Sequence, residues 1–235
     1  MYEMKTRVWT LPTRLFHWML AIGFIGAYVL GEEDDLRNLH FAFGALVGGL
    51  ALLRLLFGIL GPRYSHFRDF HIGWKHQLGY LKNISRPYPF PGHNPAAALV
   101  MLAILGIALL TTLTGYITYA GSGTFPGLPL GPEGMEDAHK ALANIFLALV
   151  IVHLAGILVD TLLHARTGTL ASMFSGDKNV EGQAVQLNGF QWFFSLVWIV
   201  VPLVLFFLAL RLDPAQGGAQ EREGTEQHDP SEEED

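Results

Sequence analysis

"HKALANIFLALVIVH", residues 139–153, opens and closes on histidine, and only Lys140 and Asn144 interrupt the apolar run between them. Fourteen positions separate the two imidazoles. In an α-helix that is about 21 Å along the axis and close to four full turns, so His139 and His153 share one face at two depths. Ionisable groups inside an apolar span are costly and usually functional. A helix of this kind offers one imidazole to each of two layers, and other elements should supply partners at the same depths.

Outward from this stretch, the chain reads as an all-α integral membrane protein. Apolar residues make up 51% of its 235 residues and charged residues only 15%, against about a quarter charged in soluble domains. Apolar runs lie at roughly 15–31, 39–60, 96–120, 139–163 and 190–212, each near or above the ~20 residues that cross a bilayer as a helix. The first is the weakest. Asn94 is a good N-cap for the third, with Pro95 in its first turn. Pro202 should kink the fifth.

Charge sets the direction. Lys5, Arg7 and Arg14 precede the first run, five basic residues from Arg63 to Arg86 lie between the second and third, and Arg166 and Lys178 follow the fourth. The opposite connections are acidic: "GEEDD" at 31–35, and Glu133, Glu136 and Asp137. The positive-inside rule then predicts a cytoplasmic N-terminus and, with five spans, a periplasmic C-terminus. The N-terminus has no small-residue cleavage site, so the first span is expected to be retained. Residues 213–235 hold nine acids and one base, a net of −8, while the whole chain is −6. The rest therefore sums to +2. The acidity belongs to a polar tail expected to be disordered, and no nucleic-acid partner is indicated. There is no cysteine, which excludes disulfides, cysteine-ligated iron–sulfur clusters and covalent haem attachment through C-x-x-C-H.

Of ten histidines, His66, His71, His76 and His93 fall in the long connection and His228 in the tail, where solvated or interfacial positions are expected. His164, beside Arg166 at the end of the fourth span, is also expected at the interface. His17, His40, His139 and His153 lie in or at the start of apolar spans. A single such histidine can simply hydrogen-bond across helices, but these four match in depth. Span 1 starts inside, so His17 is near the cytoplasmic side, with His153. Spans 2 and 4 start outside, so His40 and His139 are near the outer side. The expected pairs are His17 with His153 and His40 with His139.

Two facing imidazoles in an apolar bundle, with no carboxylate or thiolate nearby, suit a bis-histidine haem; zinc usually takes four ligands, and no further ligand is visible at either depth. Bundle cores host cofactors between facing helices. Gly44, one turn after His40, leaves room for a flat macrocycle, with Gly48 and Gly49 beyond; small residues also permit close helix packing. Arg54, fourteen residues after His40, lies at the inner depth, and Arg14 is near His17. Either could pair with haem propionates, Arg54 being the deeper of the two.

The segments "LPTRLFHW" around His17, "LHFAFG" around His40, "GPRYSHF", "GHNP", "LTGY" and "AHKALANIFLALVIVH", in this order over residues 7–178, resemble the bacterial cytochrome b561 family, most closely its members that serve nickel–iron hydrogenases as b-type cytochrome subunits. The resemblance implies a four-helix transmembrane bundle binding two non-covalent b haems. It also implies that His17 and His153 ligate the inner haem iron and His40 and His139 the outer. The expected domains are a haem-binding domain at 1–180, a fifth transmembrane helix at 181–212 and the acidic tail at 213–235. The fifth helix and the tail lie beyond the family's four-helix core.

The expected function is a dihaem b-type cytochrome of the bacterial inner membrane. It would transfer electrons between the quinone pool and a periplasmic redox partner: a hydrogenase, another dehydrogenase or a cytochrome c. An alternative is a stand-alone quinol or superoxide oxidoreductase, although the sequence offers no clear acid–base pair. A third is a membrane anchor or transporter without haem.

Overall fold

A computed structural model of the chain describes residues 5–86, 90–120 and 131–211. The acidic tail and His228 lie outside the described residues. In chain order the elements are β1 (Lys5–Arg7), α1 (Leu11–Val29), α2 (Arg37–Leu60), α3 (Trp74–Lys82), α4 (Pro95–Ala120), α5 (Gly131–Leu163), α6 (Thr169–Ser175), β2 (Asp177–Asn179) and α7 (Gly189–Ala209).

Helices occupy all five expected apolar runs. Those of α2, α4, α5 and α7 are long and apolar enough to cross a membrane. The 19-residue α1 is not among them, because Pro12, Thr13, Arg14 and His17 dilute its apolar run. Start signals act where the sequence places them. Thr10 caps α1 by accepting the Thr13 N–H at 3.3 Å, and Asn94 caps α4 by accepting from the Ala97 N–H at 2.7 Å. Asn188 and Gln191 form a reciprocal capping box at the start of α7. The start of α5 differs from expectation. It begins at Gly131, eight residues before His139, and its first turns carry Glu133, Glu136 and Asp137. Acids are favourable there because the N-terminal end of a helix is partly positive.

α2 is the central helix, packed against α1, α4 and α7, whereas α5 packs closely against α4. Glycines set the spacing. The Thr112 side chain of α4 occupies the space that a Cβ at Gly48 would need, and Pro202 and Leu205 of α7 lie over Gly49. Pro202 is buried within the continuous helix α7. Trp198 of α7 stacks on Phe16 of α1 at 4.4 Å and on Phe57 of α2 at 4.1 Å between ring centres. Its indole N–H donates to the Leu50 carbonyl at 3.4 Å. The outer surface of α5 presents Ile145, Ile151, Leu154, Leu158 and Leu162. In water such a surface would aggregate; in a bilayer it faces acyl chains.

A small clamp closes one end of the bundle. β1 and β2 pair antiparallel with Thr6 opposite Lys178, and Arg7 forms an ion pair with Asp177. Gly176 ends α6 with φ of +89°, and a Cβ there would lie 2.6 Å from the Trp9 carbonyl, so only glycine lets the strands meet. Val8, Trp9 and Val180 are buried beneath them.

Candidate haem-binding site

The four span histidines come together as two pairs. The rings of His17 (α1) and His153 (α5) stand 6.4 Å apart between centres, and those of His40 (α2) and His139 (α5) stand 6.0 Å apart. Neither α1 nor α2 packs closely on α5, so each pair faces across a gap between helices. Imidazole nitrogens bind a first-row metal at about 2 Å, and a ring centre lies about 1 Å further back, so two imidazoles on opposite sides of one metal need about 6 Å between centres. The observed separations fit that requirement.

The His40–His139 pair is held by backbone carbonyls. His40 Nδ1 lies 2.7 Å from the Ala27 oxygen, and His139 Nδ1 lies 2.9 Å from the Thr111 oxygen. Each carbonyl accepts an Nδ1–H, which fixes the tautomer and leaves Nε2 with its lone pair available to a metal. The Thr114 hydroxyl is 3.3 Å from His139 Nδ1. A partly open cleft is lined by both rings together with Phe24, Gly44, Thr111 and Phe146. A Cβ built on Gly44 would meet nothing within 4 Å, so this glycine borders open space and a flat group can lie against it.

The other layer is less tied down. His17 Nδ1 is buried without a hydrogen-bond partner. Arg54 is 6% exposed. One of its nitrogens donates to the Ser65 carbonyl at 3.1 Å, while Nη1 is buried and unpartnered. Arg14 donates through Nη1 to the Phe174 carbonyl, joining α1 to the end of α6, and its Nε is unpartnered.

Two histidines differ from their expected solvated or interfacial positions. The His93 ring packs on Trp9 and Phe70, at 4.9 and 5.1 Å between centres, and its Nδ1 is buried without a partner. Burial first, then the neighbouring Arg54 and Lys178 charges, push its imidazole down to about 3. The His164 side chain is 6% exposed, with Nδ1 3.2 Å from Asp160 Oδ1 and Nε2 3.1 Å from the Arg86 carbonyl. It ties the end of α5 to the connection after α3. His71 and His76 are exposed, and His66 is half-buried.

Gly115 is a site residue that the sequence reading did not single out, although it lies within "LTGY". A Cβ there would sit 2.8 Å from His139 Cε1 and 3.1 Å from Nδ1, so its missing side chain is what lets the His139 ring lie against α4. Asn144, the lone amide in the opening stretch, accepts from the Tyr28 hydroxyl at 3.0 Å and joins α5 to α1.

Among known proteins, the family model described as "Prokaryotic cytochrome b561" matches residues 8–176. The probable Ni/Fe-hydrogenase 1 B-type cytochrome subunit of Escherichia coli K12 is 24% identical over 142 residues, covering 48% of this chain and 60% of that protein. The protein of the same description in Escherichia coli O157:H7 matches to the same extent. The match thus spans about 60% of the length of these curated relatives. No solved structure matches significantly. The family is one of b-type cytochromes and so implies haem b. With the family match covering most of its length and the long apolar helices that a multi-pass membrane protein requires, the chain belongs to the prokaryotic cytochrome b561 family.

Proposed function

We propose that this protein is a dihaem electron-transfer cytochrome of the bacterial inner membrane, carrying electrons between the quinone pool and a periplasmic redox partner. The observation that carries the proposal is the pair of facing imidazole sets, 6.4 and 6.0 Å between ring centres, with their α5 members about 21 Å apart along one helix. His17 and His153 would hold one iron and His40 and His139 the other. Haem b, when bound, supplies the one-electron chemistry.

The chain's own residues do the positioning. The carbonyls of Ala27 and Thr111 orient the outer imidazoles. Gly44 and Gly115 clear space beside them. Arg14 and Arg54 offer donors to propionates in the other layer. The basic connections favour a cytoplasmic N-terminus, which puts the His17–His153 layer toward the cytoplasm and the His40–His139 layer toward the periplasm. A periplasmic C-terminus then requires α1 and α7 both to span. A hydrogenase is one candidate partner, suggested by the description of the E. coli relatives.

The test is the reduced-minus-oxidised spectrum of the purified protein, with pyridine haemochrome analysis. The expected result is a b-type alpha band and two haems per chain. Absence of the band would refute the proposal.

A further inference from the structure

We propose that Arg54, His93 and Lys178 form a buried cradle of two cations and one neutral imidazole that binds the carboxylate groups of the porphyrin in the His17–His153 layer. This rests on the haem assignment above and extends it to two residues outside the helical spans.

Position is the first support. Arg54 follows His40 by fourteen residues, the interval that separates His139 from His153, so it sits at the depth of the second layer. His93 lies within electrostatic reach of both histidines of that layer and of Arg54 and Lys178. Lys178 is 2% exposed. Its ammonium donates to the Gly92 carbonyl at 3.0 Å and lies 5.5 Å from the centre of the Trp9 ring, the same ring on which His93 packs. The clamp of β1 and β2 therefore delivers Lys178 to the residue preceding His93.

Charge is the second support. Among the described residues no carboxylate lies within ion-pair distance of Arg54. The groups acting electrostatically on His93 are Arg54, Lys178, His153 and His17, all bases. Asp160 is the carboxylate felt by Lys178, and burial outweighs it, pulling the ammonium down to about 8. A buried cation without a counter-ion, as Arg54 is among the described residues, is strongly disfavoured, and a buried donor without an acceptor nearly as much. Arg54 Nη1 is such a donor, and His93 Nδ1 is a second buried polar atom without a partner. A dianionic edge supplies what Arg54 lacks, because carboxylates accept charge-assisted hydrogen bonds from guanidinium and ammonium groups. The phosphate of an anionic lipid has similar chemistry, but Trp9, Phe67 and Phe70 enclose this cluster within the protein.

The test uses the full-length protein purified with its haems. Arg54→Met, Lys178→Met and His93→Phe are compared with wild type by haem content and potentiometric titration, the other layer serving as internal reference. Removing the Arg54 or Lys178 cation beside a haem disfavours its reduced form, whereas His93→Phe removes a neutral polar group and should act on haem retention. The expected result is loss of one haem, or a fall of about tenfold in that haem's reduction equilibrium, about 59 mV for one electron. The His40–His139 haem should be unmoved. Arg54→Lys and Lys178→Arg should recover most of the shift. If Arg54→Met does not accumulate as folded protein, Lys178→Met carries the same test. Two haems with unmoved potentials in these variants would overturn the cradle. So would loss of a co-purified anionic lipid from the variants with both potentials unmoved, which would assign the site to a phosphate. A wild-type protein without haem would instead sink the haem assignment itself, and the cradle with it.

Discussion

Gly115→Ala tests the His40–His139 layer without touching a proposed ligand. The added methyl carbon would lie 2.8 Å from His139 Cε1, where ordinary contact begins at 3.4 Å. The ring must therefore recede by about 0.6 Å, the difference between these distances, or α4 and α5 must part by a similar amount. His139 Nδ1 is bonded to the Thr111 oxygen at 2.9 Å, and a retreat of that size along the bond takes it beyond hydrogen-bond length. Overpacking of this kind costs about 1–3 kcal/mol, and losing a carbonyl that orients a metal-bound histidine weakens metal binding by roughly 10- to 100-fold. The effect should stay local, because His153 is about 21 Å further along α5. In detergent-purified protein, Gly115→Ala should show a lost, shifted or high-spin signal for one haem only, the same haem that His40→Ala perturbs. Gly115→Ala with both haems present and both low-spin signals and potentials unchanged would refute the reasoning.

Four further outcomes follow from the same geometry. His17→Ala and His153→Ala should damage one haem, and His40→Ala and His139→Ala the other, as read by low-spin resonance signals. The assignment fails if His17→Ala and His139→Ala abolish the same one. Gly44→Leu should leave the helical content intact, because its side chain enters open space, yet haem per chain should fall toward one. Trp198→Ala, which empties the stack between Phe16 and Phe57, should cost about 3–5 kcal/mol and lower the melting temperature while the rings of α5 keep their partners. A reporter fused after residue 235 should read periplasmic and one inserted near Lys75 cytoplasmic; a cytoplasmic C-terminal reporter would mean that one of the five helices does not cross.

The five long helices were legible because each is written in a local signal, whereas the short α3 and α6 were not read from the sequence. Asn94 and Pro95 announce α4, and the apolar runs mark the remaining spans. The convergence of histidines was legible because helical rise converts sequence distance to depth: His139 and His153 differ by fourteen positions, and His17 and His40 start from opposite ends. What stayed hidden depends on pairing between distant segments. Nothing near Lys5 or Asp177 indicates a strand, since each is three residues long and exists only through the other. His93 and Lys178 look like ordinary loop residues until that clamp places them around Trp9. The buried contact of His164 with Asp160 has an i, i+4 spacing that was visible, but its burial comes from the connection folding back to present the Arg86 carbonyl. Gly115 was quoted as part of a motif; its purpose becomes visible only when the His139 ring is seen against it.

The packing around α2 gives the fifth helix a physical role. α1, α4 and α7 all press on α2, and the contacts are close: Thr112 against Gly48, Pro202 against Gly49, Trp198 against Leu50 and Phe57. α5, in contrast, is held mainly by α4, and its histidines reach across gaps to α1 and α2. An open gap inside a bundle is unfavourable, because its lining forfeits dispersion contacts that a filled site would keep. Two flat apolar groups lodged between α5 and the α1–α2 pair would recover those contacts, which would make each proposed haem a packing element as well as a redox centre. On this view α7 stiffens the wall formed by α1 and α2 from behind, so that His17 and His40 keep their positions when the gap is empty. The two walls of the gap then differ in rigidity. Removal of haem should loosen α5 first, and hydrogen exchange on the stripped protein should show protection lost along residues 139–163 while the Leu46–Phe57 segment of α2 keeps its own. Equal loss on both walls would mean that α7 contributes no such support.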